Sequence, residues 1–145
     1  MMKPRIAILG IFVADLAFRA RRLPVMGETI LGQGFAMGPG GKGSNQAVAA
    51  ARAGGEVSLI AKIGRDSFGD IALKTWGADG IDTSHVAFSD TAPTGAAFIF
   101  VSSETGDNAI IVETGAAGTI TPDDVSAVEK AIAGSQVFIT QLETS

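Results

Sequence analysis

The run Gly38-Pro39-Gly40-Gly41-Lys42-Gly43-Ser44-Asn45-Gln46 opens directly into Ala47-Val48-Ala49-Ala50-Ala51-Arg52-Ala53-Gly54. Glycines this dense allow backbone conformations and close approaches that a Cβ would forbid. A helix starting there offers unpaired N–H groups and a partial positive charge. The loop brings a lysine and an asparagine to the mouth of a buried helix, a construction suited to holding a small polar molecule. The bland alternative is a purely structural glycine turn, which leaves Lys42 and Asn45 without a role.

Two phosphate-binding patterns can be checked against this loop. Gly38-x-Gly40-x-x-Gly43 matches the loose dinucleotide fingerprint, and a helix follows. However, the loop sits well past the first strand, and the preceding segment is broken by glycine. The P-loop pattern fails, because Lys42 is followed by Gly43 rather than Ser or Thr and Ala36 stands where its first glycine belongs.

Arg5 to Leu9 reads as a buried strand closed by Gly10, with Ile11 to Phe18 as a bent continuation or second strand. Thr29 to Met37 reads as one or two irregular strands. Ser44 to Ala53 is a helix that Ser44 or Asn45 can cap and Gly54-Gly55 can end. Val57 to Ile63 is a second buried strand. Ser67 to Trp76 is an amphipathic helix with Phe68, Ile71, Ala72 and Trp76 on its apolar stripe and Gly77 as a stop. Ala96 to Val101 and Ala109 to Val112 form a hairpin across a turn-rich segment. Thr121-Pro122 starts a helix running to about Ala133, and Gln136 to Leu142 is a further buried strand. This alternation predicts an α/β core with a right-handed crossover, while the extra β segments do not fit a doubly wound sheet.

The ordered pieces resemble the ribokinase family of carbohydrate kinases, the phosphofructokinase-B type. Besides the glycine loop they include Leu23-Pro24 with Gly27-Glu28-Thr29, then Gly64-Arg65-Asp66-Ser67-Phe68-Gly69, Thr94-Gly95, Gly106-Asp107-Asn108 and Gln141-Leu142-Glu143. The resemblance covers nearly the whole chain. It implies a partial three-layer α/β/α core with a small β-sheet lid, the lid drawn from about 11–37 and 95–113. Residues 1–145 would form the N-terminal part of the kinase domain. The implied activity is ATP-dependent phosphorylation of a sugar hydroxyl, with Mg²⁺ and K⁺ as implied ions and a homodimer through the lid.

By the same resemblance, Asp15, Gly41, Lys42, Asn45 and Glu143 grip the sugar, and the glycine loop serves the sugar rather than ATP. A carboxylate accepting from two hydroxyls suits a vicinal diol. Read without the resemblance, Asp15 is a turn residue, Lys42 a solvated loop charge, Asn45 a helix cap and Glu143 a frayed terminal carboxylate. The family places Gly-Ala-Gly-Asp, with its aspartate base, in its C-terminal half. No such segment occurs here, so the base and the ATP-binding half are expected beyond Ser145, and the 145 residues alone are expected to be inactive. No catalytic, cofactor-binding or metal residue is assigned within the chain.

Two positions depart from the family pattern. Val13 stands where an asparagine usually precedes the aspartate by two residues, so the sugar lacks the matching hydroxyl or presents another configuration there. Ala117 replaces the last residue of a common Gly-Ala-Asn.

A net charge of −4 argues against nucleic acid and anionic membranes as partners. With no cysteine there are no disulfides or thiolate metal sites, and a cytoplasmic location is expected. The most apolar stretch, Ile6 to Phe18, is too short to span a bilayer and carries no cleavage pattern, so no leader is expected. His85 reads as a loop or packing residue, Trp76 as core, and Arg19, Arg21 and Arg22 as a solvated turn. Two other classes stay open: a non-catalytic sugar-binding or dimerisation module, and a Rossmann-type dinucleotide-binding domain.

Overall fold

The computed structural model describes residues 3–144, so Met1, Met2 and Ser145 of the expected 1–145 unit lie outside the described residues. In chain order the elements are β1 (Arg5–Leu9), β2 (Val13–Ala20), β3 (Gly34–Pro39), α1 (Lys42–Arg52), β4 (Glu56–Gly64), α2 (Ser67–Ala78), β5 (Val86–Ser89), β6 (Thr94–Ser102) and β7 (Asn108–Gly115). A 3₁₀ turn (Ala116–Thr119), α3 (Pro122–Ser126), α4 (Glu129–Ala133) and β8 (Val137–Thr140) follow.

Two four-stranded sheets result. The core sheet has the order β5-β4-β1-β8, with every pairing parallel. Its central strands are buried on both faces, which is why β1 and β4 read as near-continuous apolar runs. One face carries α1 and α2 over Ile8, Val57, Leu59 and Ile63. On the other face α3 and α4 bring Val125, Val128 and Ile132 to Leu9, Ile60 and Ile120. These are the three layers of an α/β/α core.

The outer sheet has the order β3-β2-β6-β7. Strand β2 runs antiparallel to β3 and parallel to β6, and β6 and β7 form the expected hairpin. At its base, Ile11, Val13, Ala97 and Ala117 make a small apolar cluster of their own.

Trp76 of α2 is the largest fully buried side chain. It meets Phe12 edge to face, with ring centroids 5.7 Å apart. Its Nε1–H donates to the Ser44 hydroxyl at 2.9 Å, so the core between α1 and α2 closes around one satisfied polar pair. This bond corrects the expected cap. Helix α1 begins two residues earlier than expected, at Lys42, with Gly41 as its N-cap and no side-chain cap bond. Ser44 is buried and committed to Trp76, and the tertiary partner overrides the local capping rule.

Other expectations also shift. Helix α2 runs through Gly77 to Ala78 before Gly80 turns the chain at φ 66°. The helix expected from Thr121 to Ala133 is two short helices. Thr121 and Asp124 form a capping box at its start, but at Val128 the N–H bonds back to Val125 and the backbone leaves helical geometry. Strand β8 is shorter than expected and is not buried, since Val137 and Phe138 are 46% and 43% exposed.

Replacing Trp76 by Phe should cost about 1–3 kcal/mol, because the ring volume is largely kept while the buried Ser44 hydroxyl loses its donor. Urea unfolding of the single variants and of Trp76→Phe with Ser44→Ala measures it. The double variant should lose less than the sum of the singles.

Candidate functional site

Three close backbone approaches build the site at the carboxyl end of β1, where open α/β sheets bind ligands. Gly10 follows β1 and touches Gly43 in the first turn of α1. A Cβ on either would lie 2.6 Å from the other's Cα. Gly41, at φ 89°, crosses over the Ile11–Phe12 segment, where a Cβ would stand 2.4 Å from the Ile11 carbonyl oxygen. Gly40 donates its N–H to the Val13 carbonyl at 2.9 Å, and a Cβ there would stand 2.2 Å from Asp15 Oδ1. The glycines therefore seat the mouth of α1 against β1 and leave room for the Asp15 carboxylate.

Asp15 lies in β2, in register with Gly38 of β3 and Ala97 of β6. Both neighbours are small, so the carboxylate stands in an open row. Burial pushes its pKa above the usual carboxylate value, and no cation or donor among the described residues offsets that. A partly desolvated carboxylate without a partner is an acceptor in want of donors.

The third wall comes from the segment after β8. Gln141 Nε2 donates to Gln46 Oε1, and Lys42 Nζ pairs with Glu143 Oε1. Gln46 and Lys42 are four residues apart on α1, so residues 141 and 143 grip one helix face. Glu143 Oε2 and Gln141 Oε1 are buried with no hydrogen-bond partner. The Gln141 oxygen lies against Gly10 and Gly43, at the positions their Cβ atoms would take.

Of the sequence candidates, Lys42 and Glu143 meet directly, and Gly41 caps α1 beside Asp15's neighbour Gly40. Asn45 is exposed on the first turn of α1 and makes no side-chain cap bond. No hydrogen bond joins Asp15 to Lys42, Asn45 or Glu143 among the described residues. Gln141 carries no local sequence signal, since nothing nearby marks an amide that packs between glycines roughly 100 and 130 residues away. The loop follows β3, an antiparallel strand of the outer sheet, so the core strand–turn–helix of a dinucleotide site is not met. Among the described residues no group of three His, Cys, Asp or Glu could hold a metal ion, and no helix is long and apolar enough to cross a membrane.

A glycine loop, a helix mouth and a carboxylate without a partner stand together at the carboxyl end of a parallel sheet, in an α/β protein. Residues 3–141 match the pfkB family carbohydrate kinases. The chain is 37% identical over 140 residues to ribokinase of Mus musculus, covering 97% of this chain and 43% of that protein. To deoxyribokinase of Salmonella typhi it is 34% identical over 138 residues, covering 95% and 45%. The structure of Arabidopsis thaliana ribokinase complexed with ribose and ATP superposes with a TM-score of 0.85 at 27% identity, covering 99% of this chain and 47% of that one. The chain belongs to the pfkB family of carbohydrate kinases and has the ribokinase-like α/β fold. It spans less than half the length of these relatives.

The raised pKa of Asp15 carries a stability consequence. A carboxyl whose folded pKa lies above its unfolded value of about 3.9 destabilises the fold when ionised. Asp15→Asn should therefore be more stable than the parent at pH 7. The difference should fade as pH falls through the folded pKa and vanish below the unfolded one. Urea midpoints between pH 3 and 7, on the order of one measurement per half unit, check the sign.

Proposed function

We propose that this chain carries the sugar-binding part and the lid of an ATP-dependent sugar kinase. The observation that carries the proposal is the open carboxylate of Asp15 beside the glycine loop, with Lys42 and Glu143 at the helix mouth. In this reading Asp15 accepts from two adjacent sugar hydroxyls. The backbone of Gly41 and the side chains of Lys42 and Asn45 approach from α1, and the unpaired Glu143 Oε2 accepts a further hydroxyl. The outer sheet is the lid. Residues outside this chain supply the aspartate base and the ATP site with its Mg²⁺. The residues here do not fit either group, since Lys42 lacks a P-loop and is paired to Glu143.

Val13 narrows the substrate. It lies two residues before Asp15, hence on the same strand face. It is buried against Ile11, Ala97 and Ala117, and its Cγ1 lies where a Cβ on Gly95 would be 2.9 Å away. A hydroxyl placed beside Asp15 there would be buried without a partner, at a cost of about 1–3 kcal/mol. The preferred sugar is therefore a pentose lacking that hydroxyl, a reading that rests on Val13, since the chain resembles ribokinases as well as a deoxyribokinase. In initial-rate assays of the intact kinase with ATP, 2-deoxyribose should exceed ribose in kcat/KM by roughly tenfold. Val13→Asn should narrow or reverse the ratio. Equal use of both sugars by the parent would sink the deoxy assignment, and sugar binding without any phosphorylation would favour a non-catalytic binding module.

The lid also offers a partner surface. Phe18, Phe35 and Phe98 cluster on its outer face, with ring centroids 4.9 and 5.7 Å apart, and Met37 and Ile111 extend the patch. Phe35 and Ile111 are 60% and 70% exposed, an apolar surface of the kind that marks an interface. A second copy is the proposed occupant. Sedimentation equilibrium should give a dimer for the parent and a monomer for Phe35→Asp, and a monomeric parent would contradict this.

A further inference from the structure

Among the motifs that the proposed sugar grip does not use are Gly64-Arg65-Asp66-Ser67-Phe68-Gly69 and Thr94-Gly95. In the structure they meet. Asp66 is the N-cap of α2, where its Oδ1 accepts from the Gly69 N–H at 2.9 Å. Its Oδ2 accepts from the Thr94 N–H at 2.7 Å. Thr94 is 4% exposed and is the first residue of lid strand β6, and its hydroxyl accepts from the Gly64 N–H at 2.9 Å. Burial pushes the Asp66 carboxyl up, but the N–H groups of Thr94 and Gly69 outweigh it, and its pKa falls below the usual carboxylate value. The joint is close-packed: a Cβ on Gly64 would lie 2.6 Å from both Asp66 Oδ2 and the Thr94 nitrogen.

The neighbouring crossing is tied to the same point. The Ala116 N–H donates to the Pro93 carbonyl at 2.7 Å, and Gly115, at φ 55°, leaves a Cβ only 2.3 Å from that oxygen. Both chain segments that enter and leave the β6–β7 hairpin at its core end are thus fixed to the β4–α2 corner. The hairpin in turn sets β2, because β6 pairs with β2 along its whole length, from Val13↔Gly95 to Ala20↔Ser102, with Asp15 opposite Ala97.

We propose that Asp66 is a positioning residue for the sugar site: by holding the root of β6 to the start of α2, it sets where the lid, and Asp15 within it, stands over the glycine loop. The effect on sugar affinity rests on the sugar-kinase reading; the joint itself does not. Asp66 touches no reacting group and acts through Thr94, β6 and β2.

The test separates its two bonds. Asp66→Ser keeps an N-cap acceptor for Gly69 but is too short to reach Thr94, whereas Asp66→Ala loses both. Hydrogen–deuterium exchange on the intact polypeptide should show Thr94 to Ala97 exchanging about fivefold faster or more in both variants, with the first turn of α2 loosened only in Asp66→Ala. In Asp66→Ser, the dissociation constant for 2-deoxyribose, by calorimetry, should rise about threefold or more while the unfolding midpoint stays near that of a cap-neutral change. Thr94 to Ala97 exchanging as slowly in Asp66→Ser as in the parent would overturn the joint. Faster exchange with unchanged sugar affinity would overturn the positioning role. A parent that binds no sugar contradicts the sugar-kinase reading and the positioning role with it, while the exchange rates still decide the joint.

Discussion

The contact between Gly10 and Gly43 is the constraint from which the rest of the site follows. A single Cβ at either position would sit 2.6 Å from the other residue's Cα, so the end of β1 and the first turn of α1 meet backbone to backbone. That contact places a helix N-terminus at the carboxyl end of a central strand of the core sheet, where the Ser44 N–H donates to the Ile11 carbonyl at 3.3 Å. Gly41 then has to cross Ile11 and Phe12, and Gly40 has to pass the Asp15 carboxylate. Larger residues at these positions would push the helix off the strand and crowd the Asp15 carboxylate.

Polar groups around this seam are left partly unsatisfied. The Asp15 carboxylate is partly desolvated, and neither it nor the buried Glu143 Oε2 has a partner among the described residues. Lys42 and Glu143 do pair, but the lysine side chain is 72% exposed, and exposed ion pairs contribute only about 0–1 kcal/mol. The ionised Asp15 is a local cost to the stability of the fold.

Much of this was legible in the sequence, wherever the governing physics is local. The apolar runs of β1 and β4 stand out because parallel strands are buried on both faces. The β6–β7 hairpin is announced by its Ser102–Asn108 turn, where Gly106 adopts φ 80°. The helix start at Thr121-Pro122 needed only adjacent residues. What the sequence hid depends on partners far along the chain. Ser44 looks like a cap until Trp76, 32 residues on, claims its hydroxyl. The parallel pairing of β2 with β6 joins segments some 80 residues apart and carries no local signal. The break at Val128 and the exposure of Val137 and Phe138 likewise depend on packing around them. In the site, the glycine loop and Asp15 were visible as types in a pattern, but the openness of Asp15 and the role of Gln141 were not, because each is set by residues brought in from other elements.

The measurement that bears most directly on this account is an amide chemical-shift titration of the intact polypeptide with 2-deoxyribose and, separately, with a nicotinamide dinucleotide. The account predicts that the sugar shifts Gly40, Gly41, Lys42 and Asp15 together, and that the dinucleotide leaves them unmoved. Shifts at Gly38 to Gly43 with the dinucleotide, and none with the sugar, would contradict it.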